Sequence, residues 1–185
     1  MTSATDPASV GKVLDFWFSE TVEAHWFESD PEIDRQIAER FGDLQRQASA
    51  GELSGWMKNA ESALALVILL DQFPRNMFRG SPRAFASDDL AREVSRVAIA
   101  NAFDQQRSTT ERAFFYLPLM HSEDLIDQTE CVRLYRRLND ENGLDYAIQH
   151  HDIIARFGRF PHRNKVIGRE NSEAELEFLK THKGF

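Results

Sequence analysis

The stretch Ala60–Phe73, AESALALVILLDQF, is apolar nearly all round. A helix of this kind has no face to give to water, so other helices must cover it on several sides. It therefore predicts a central buried helix, and Pro74 should keep it from running far beyond Phe73. Its uninterrupted apolar core, Ala63–Leu70, is closed by Asp71. That is far short of the roughly 20 residues a membrane span needs, so no membrane partner is expected.

Around this segment every long periodic stretch repeats at helical spacing. Asp6-Pro7 and Asp30-Pro31 are N-cap and N1 pairs. The first opens the stripe Val10, Val13, Leu14, Trp17, Phe18. The second opens Ile33, Ile37, Phe41, Leu44, Ala48, with Gly51 as the stop. Ser87 reads as a cap, with Asp88 and Asp89 in the dipole-favoured first turn. Ser108–Glu111 and Ser172–Glu175 are capping boxes. Pro118 bends or ends the helix that follows the first box. Ser122 reads as the cap of the helix through Leu138, and Gly158 closes the helix Leu144–Phe157. Trp17, Trp26 and Trp56 are expected as core or junction fillers. No stretch alternates in the manner of a strand. The expectation is an all-α fold of about eight helices in a single domain over residues 1–185.

Composition narrows the function classes. A formal net charge of −8 disfavours nucleic-acid binding by the molecule as a whole. Cys131 is the single cysteine, which excludes an intrachain disulfide and a cysteine-based metal site and fits a cytoplasmic setting. The beginning MTSATDPASV has neither the basic nor the apolar region of a signal peptide.

The segments VLDFWF, LALVILLDQFPRNMFRG, FFYLPLMHSEDLIDQ, ARFGRFPHRN and GRENSEAELEFL, in this order, resemble the mainly bacterial family catalogued as domain of unknown function 924. The resemblance covers Val13 to about Leu179. It departs at Gly168-Arg169-Glu170-Asn171-Ser172, where Gly-Arg-x-Ser-Thr is the family's pattern. It implies antiparallel helix pairs in a tetratricopeptide-like superhelical array. It implies no activity and carries over no catalytic residue.

Two of the quoted segments echo each other. QFPRNMFRG and RFGRFPHRN both set Phe-Pro, with or without His, before Arg-Asn. The windows 72–87 and 153–169 contain eight of the 22 Lys and Arg, and all 30 acids lie outside them. Arginine's planar fork suits carboxylate and phosphate. Two readings follow. Arg75, Asn76, Arg79, Arg159, Arg163 and Asn164 line a site for a small anionic ligand, with His121 and His162 as acid–base groups. Alternatively the arginines pin helix-ending loops by pairing with acids such as Asp71, Glu123 or Asp124. The loops are expected to lie close together and share a role.

Other chemistry-bearing letters read as structure. In LMHSEDL, Ser122 with Glu123 and Asp124 is ordinary helix-start chemistry, and no G-x-S-x-G elbow is present. His121 sits at a helix junction, where a polar group can face a cleft. Positive neighbours should keep His162 neutral, hence able to act as a base. The pair His151-Asp152 suggests a metal-dependent phosphohydrolase, but no Asp follows Asp152, so that pattern fails. Helical spacing instead puts His151 in the core beside Ala147, and pairs Asp152 with Arg156. No phosphate loop, metal site or cofactor is expected. The rival to the anion site is a non-enzymatic helical scaffold that binds a protein or peptide in its groove.

Overall fold

The computed structural model describes residues 7–26, 28–182 and 184. The Asp6 cap lies outside them. The helices are α1 (Pro7–Trp17), α2 (Glu20–Glu23), α3 (Pro31–Ser49), α4 (Ala60–Val67), α5 (Phe73–Met77), α6 (Asp88–Ala100), α7 (Thr109–Met120), α8 (Leu125–Leu138), α9 (Glu141–Phe157) and α10 (Glu173–Phe178). A π-turn, Ile68–Gln72, joins α4 to α5 in one continuous helix, and no strand occurs among the described residues. The fold is all-α, as the helical spacing implied. No helix among the described residues is long and apolar enough to cross a membrane.

The chain divides into two compact units, Met1–Arg79 with Arg83–Pro118, and Gly80–Pro82 with Leu119–Phe185. In the first, α4 is the predicted centre, with every residue from Ser62 to Pro74 buried. Helices α1 and α6 pack on α4, and α3 packs on α5. Asp30 caps α3 by accepting from the N–H groups of Glu32 and Ile33, and Gly51 follows its end with φ 75°. The Ser108–Glu111 box forms in both directions.

One expectation holds here and one fails, for one reason. The central helix stops soon after Pro74, at Met77. Proline has no N–H and its ring crowds the carbonyl four residues back, which here belongs to Leu70. The π-turn absorbs the conflict, with the Phe73 N–H reaching the Ile68 carbonyl. The Leu70 carbonyl then accepts from the Ser87 hydroxyl at 2.6 Å. Ser87 is therefore not the side-chain cap of α6, although it holds the cap position and Asp88 and Asp89 fill the first turn.

In the second unit α8 and α9 fold back on each other through Asn139 and Asp140. Asn139 adopts the left-handed conformation, and the Asp140 side chain caps α9 by accepting from the Gly143 N–H. Gly143 is required by close approach, since a Cβ there would come within 2.5 Å of the Tyr135 ring. Gly158 ends α9 with φ 68°. Ser172 and Glu175 form the second capping box. Ser122 does not cap α8. Asp124 does, accepting from the Ile126 N–H, while the Ser122 hydroxyl donates to buried Asp127. The inner face of α9 is Ala147, His150, Ile153 and Ile154. The core histidine is thus His150 rather than His151, about 100° away around the helix. Arg156 lies over the rings of Phe157 and Phe178, 4.6 and 5.8 Å from their centres, rather than pairing with Asp152.

Candidate functional site

In the first unit the Arg/Asn-rich segment is internally neutralised. Arg75 donates two hydrogen bonds to Asp88, at 2.9 and 3.1 Å, and lies 3.2 Å from the fully buried carboxylate of Asp71. Burial opposes its charge, but the two carboxylates outweigh that and raise its pKa. Asp34, in the first turn of α3, accepts from both Asn76 and Arg79, at 2.8 and 2.6 Å. This is the anchoring arrangement. The carboxylates come from α3, the π-turn and α6: Asp88 ties α6 to α5, Asp34 ties α3 to α5 and the turn after it, and Asp71 holds Arg75 within its own helix.

Part of the second segment behaves in the same way. Arg159 donates to both oxygens of Glu175, at 2.6 and 2.7 Å. That pair, working against burial, holds the Glu175 carboxyl down at about 2. Asn164, fully buried, donates to Asn171 at 2.8 Å and Glu175 at 3.3 Å. Arg169 donates to both oxygens of Glu123, at 2.6 and 2.8 Å, and Glu123 also accepts from the Phe160 N–H at 2.8 Å. Burial alone would raise the Glu123 carboxyl; these donors hold it below its ordinary value.

Arg163 and three histidines gather around Phe160, whose ring is fully buried. The Arg163 guanidinium lies over that ring at 4.6 Å, and Arg163 is only 8% exposed. The His162 and His150 rings lie 5.5 and 5.6 Å from it. His121 lies 6.4 Å from His150. Each group is placed by its own element. Gln128 on α8 donates to the carbonyls of Met120 and Ser122, on either side of His121, and so fixes that turn. His150 is held by its Nδ1, 2.8 Å from the Tyr146 carbonyl. A carbonyl only accepts, so Nδ1 carries the proton and Nε2 is the basic nitrogen. Phe160 leads into the short 3₁₀ turn Pro161–Arg163, which sets His162 and Arg163.

Electrostatics follow from this crowding. Burial, then His121 and Arg163, push His150 down to about 3. Burial, then Arg163 and His182, push His162 down to about 4. Both imidazoles are neutral at pH 7, as positive neighbours implied for His162, with burial the larger cause.

The geometry above lies within a stretch that also matches known proteins. A family model described as bacterial protein of unknown function, domain of unknown function 924, matches residues 13–183. The chain belongs to this family. It is also similar to a solved protein of unknown function from Agrobacterium tumefaciens, with 41% identity, a TM-score of 0.91, and coverage of 95% of this chain and 99% of that one. A search of curated proteins finds no match.

Of the residues expected at a site, this family member brings His121, His162 and Arg163 together. It commits Arg75, Asn76, Arg79, Arg159 and Asn164 to internal partners. Sequence reasoning missed His150, because one position of helical phase separates it from His151. The signal that finds it is the stripe Ala147, His150, Ile154, one residue out of register with the stripe assigned to His151. No group of three or more His, Cys, Asp or Glu with metal-binding geometry occurs among the described residues.

Proposed function

We propose that the protein binds a small anionic ligand, a phosphate or carboxylate, at the Phe160 cluster, through Arg163 and the imidazoles of His121, His150 and His162. One observation carries this reading. A guanidinium and neighbouring imidazoles converge on one buried ring. An anion here would accept charge-assisted hydrogen bonds in a low-dielectric setting, where such bonds are strong. Neutral His162 beside a fixed guanidinium is suited to take a proton from a ligand that the guanidinium holds. A cytoplasmic setting belongs to the same reading.

The test is thermal unfolding in the presence of inorganic phosphate and of simple carboxylates. A saturating anion at a hundred times its dissociation constant stabilises by about 2.7 kcal/mol. The melting point should rise with anion concentration in the native chain and stay flat in Arg163→Ala. An equal rise in both proteins would place the anion elsewhere.

A second reading is a protein or peptide partner on the α8–α9 surface. A groove there is lined by Thr129, Val132, Arg133, Arg136, Ile148 and His151, and Ile126 beside it is 78% exposed. Exposed apolar residues beside a groove favour an apolar partner face. Ile148→Asp should abolish capture of such a partner and leave the phosphate response unchanged.

A further inference from the structure

Among the described residues five large apolar side chains are exposed, and all lie in the second unit: Leu125, Ile126, Tyr146 and Ile148 on α8 and α9, and Leu176 on α10. The α8–α9 groove has Val132 and Ile148 as apolar walls, with Arg133, Arg136 and His151 along it. Arg133 is committed to Glu130, at 2.6 Å. Arg136 is exposed, and its guanidinium makes no hydrogen bond or ion pair among the described residues. The groove is therefore apolar with an unpaired cation towards the C-terminus of α8.

Helix α10 is complementary to it. Its inner face is occupied: Glu175 is held by Arg159, and the Phe178 ring packs on Phe157 with centres 5.1 Å apart. Glu173, Leu176 and Glu177 share the opposite face at i, i+3 and i+4 spacing. All three are exposed, Leu176 at 53%. Glu177 pairs with Lys180 at 2.5 Å, whereas the Glu173 carboxylate makes no hydrogen bond or ion pair among the described residues. Within one chain the two surfaces stay apart, since no residue lining the groove belongs to α10 and Leu176 stays in solvent.

We propose that α10 of one copy of this chain docks in the α8–α9 groove of a second copy, with Leu176 on Ile148 and Glu173 facing Arg136. This pairing rests on the reading of the groove as a protein-binding surface, and it identifies the partner. Contact between Leu176 and Ile148 removes apolar surface from water on both sides. Glu173 beside Arg136 sets opposite charges together in a molecule of net charge −8, whose copies otherwise repel. A helix of six residues covers a small area, so the association belongs to the weak, reversible class.

The experiment is sedimentation velocity of the full chain from about 5 to 500 µM, a range suited to weak interfaces. The native chain should self-associate as concentration rises. Leu176→Asp and Ile148→Asp should each raise the dissociation constant about tenfold. Both side chains are exposed, so circular dichroism should show native helicity in each variant. Arg136→Glu and Glu173→Arg should each weaken association to a similar degree, because like charges then meet. Mixed in equal amounts, those two variants should associate as the native chain does, since each supplies the charge the other lacks. A native chain that stays monomeric throughout overturns the proposal and leaves the partner reading to its own capture test. Association lost in Ile148→Asp but kept in Leu176→Asp retains the groove and overturns α10 as its occupant. Association indifferent to Ile148→Asp removes the groove from both readings. A mixture of Arg136→Glu and Glu173→Arg that associates no better than either alone overturns the charge pairing.

Discussion

Phe73–Asn76 and Phe160–Asn164 are spelled nearly alike and do different work. In the first, proline lies inside a helix, after a π-turn that takes up its missing N–H. Arg75 meets Asp71 and Asp88, and Arg79 meets Asp34. In the second, proline opens a 3₁₀ turn, and its arginine lies over the ring of Phe160 among histidines. The difference lies in what the neighbouring elements bring. Where helix starts rich in Asp face the arginines, the loop is an anchor. Where a phenylalanine floor and imidazoles face Arg163, the loop is the proposed anion site.

The largest expected effect breaks the anchor. Arg75→Met removes the guanidinium 3.2 Å from the Asp71 carboxylate, which is 0% exposed. Losing one partner of a buried pair costs about 3–5 kcal/mol, to be read from urea unfolding. Asp71→Asn should recover part of that loss when combined with Arg75→Met.

The next effect is a pH dependence confined to the second unit. His150 titrates at about 3 when folded, against 6.5 for an ordinary imidazole. Between these values the unfolded chain binds the extra proton, so stability falls as pH drops below about 6.5 and continues to fall towards the folded value. By pH 5 this group alone should cost about 2 kcal/mol. His150→Leu should flatten that part of the curve, measured by urea unfolding at pH 7, 6 and 5.

Glu123→Gln should cost about 1–2 kcal/mol, since it weakens charge-assisted hydrogen bonds to Arg169 and the Phe160 N–H. It should also loosen the 160–164 turn, seen as faster amide hydrogen exchange at Phe160 and Arg163. For Arg163→Ala, the lost stacking on Phe160 should cost about 1 kcal/mol. A residue that matters little to stability and much to anion response is what separates a site from an anchor.

The helices were legible because their causes are local. The Asp30 cap, the Ser108 and Ser172 boxes, and Gly51 and Gly158 act within a few residues of themselves. The apolar run at Ala60 states its own burial. Ser87 and Ser122 were misread because distant or alternative partners decided them. The Leu70 carbonyl took the Ser87 hydroxyl, and Asp127 took that of Ser122. The site was half legible for the same reason. Charge counting found the arginines, but the carboxylates that neutralise them come from up to 46 residues away, as in Arg169–Glu123. His150 required the phase of α9 to within one residue, finer than apolar spacing alone resolves when Ile148 and Ile153 compete to define the face.

The most direct test of the contrast is an NMR titration of the imidazoles with and without inorganic phosphate. His162 should titrate at about 4 in the free protein. Phosphate at the cluster should raise that value, Arg163→Ala should abolish the rise, and Arg79→Ala in the anchored loop should leave it intact. A His162 titration indifferent to phosphate, or one lost equally in Arg79→Ala, would contradict the assignment of the second loop as the anion site.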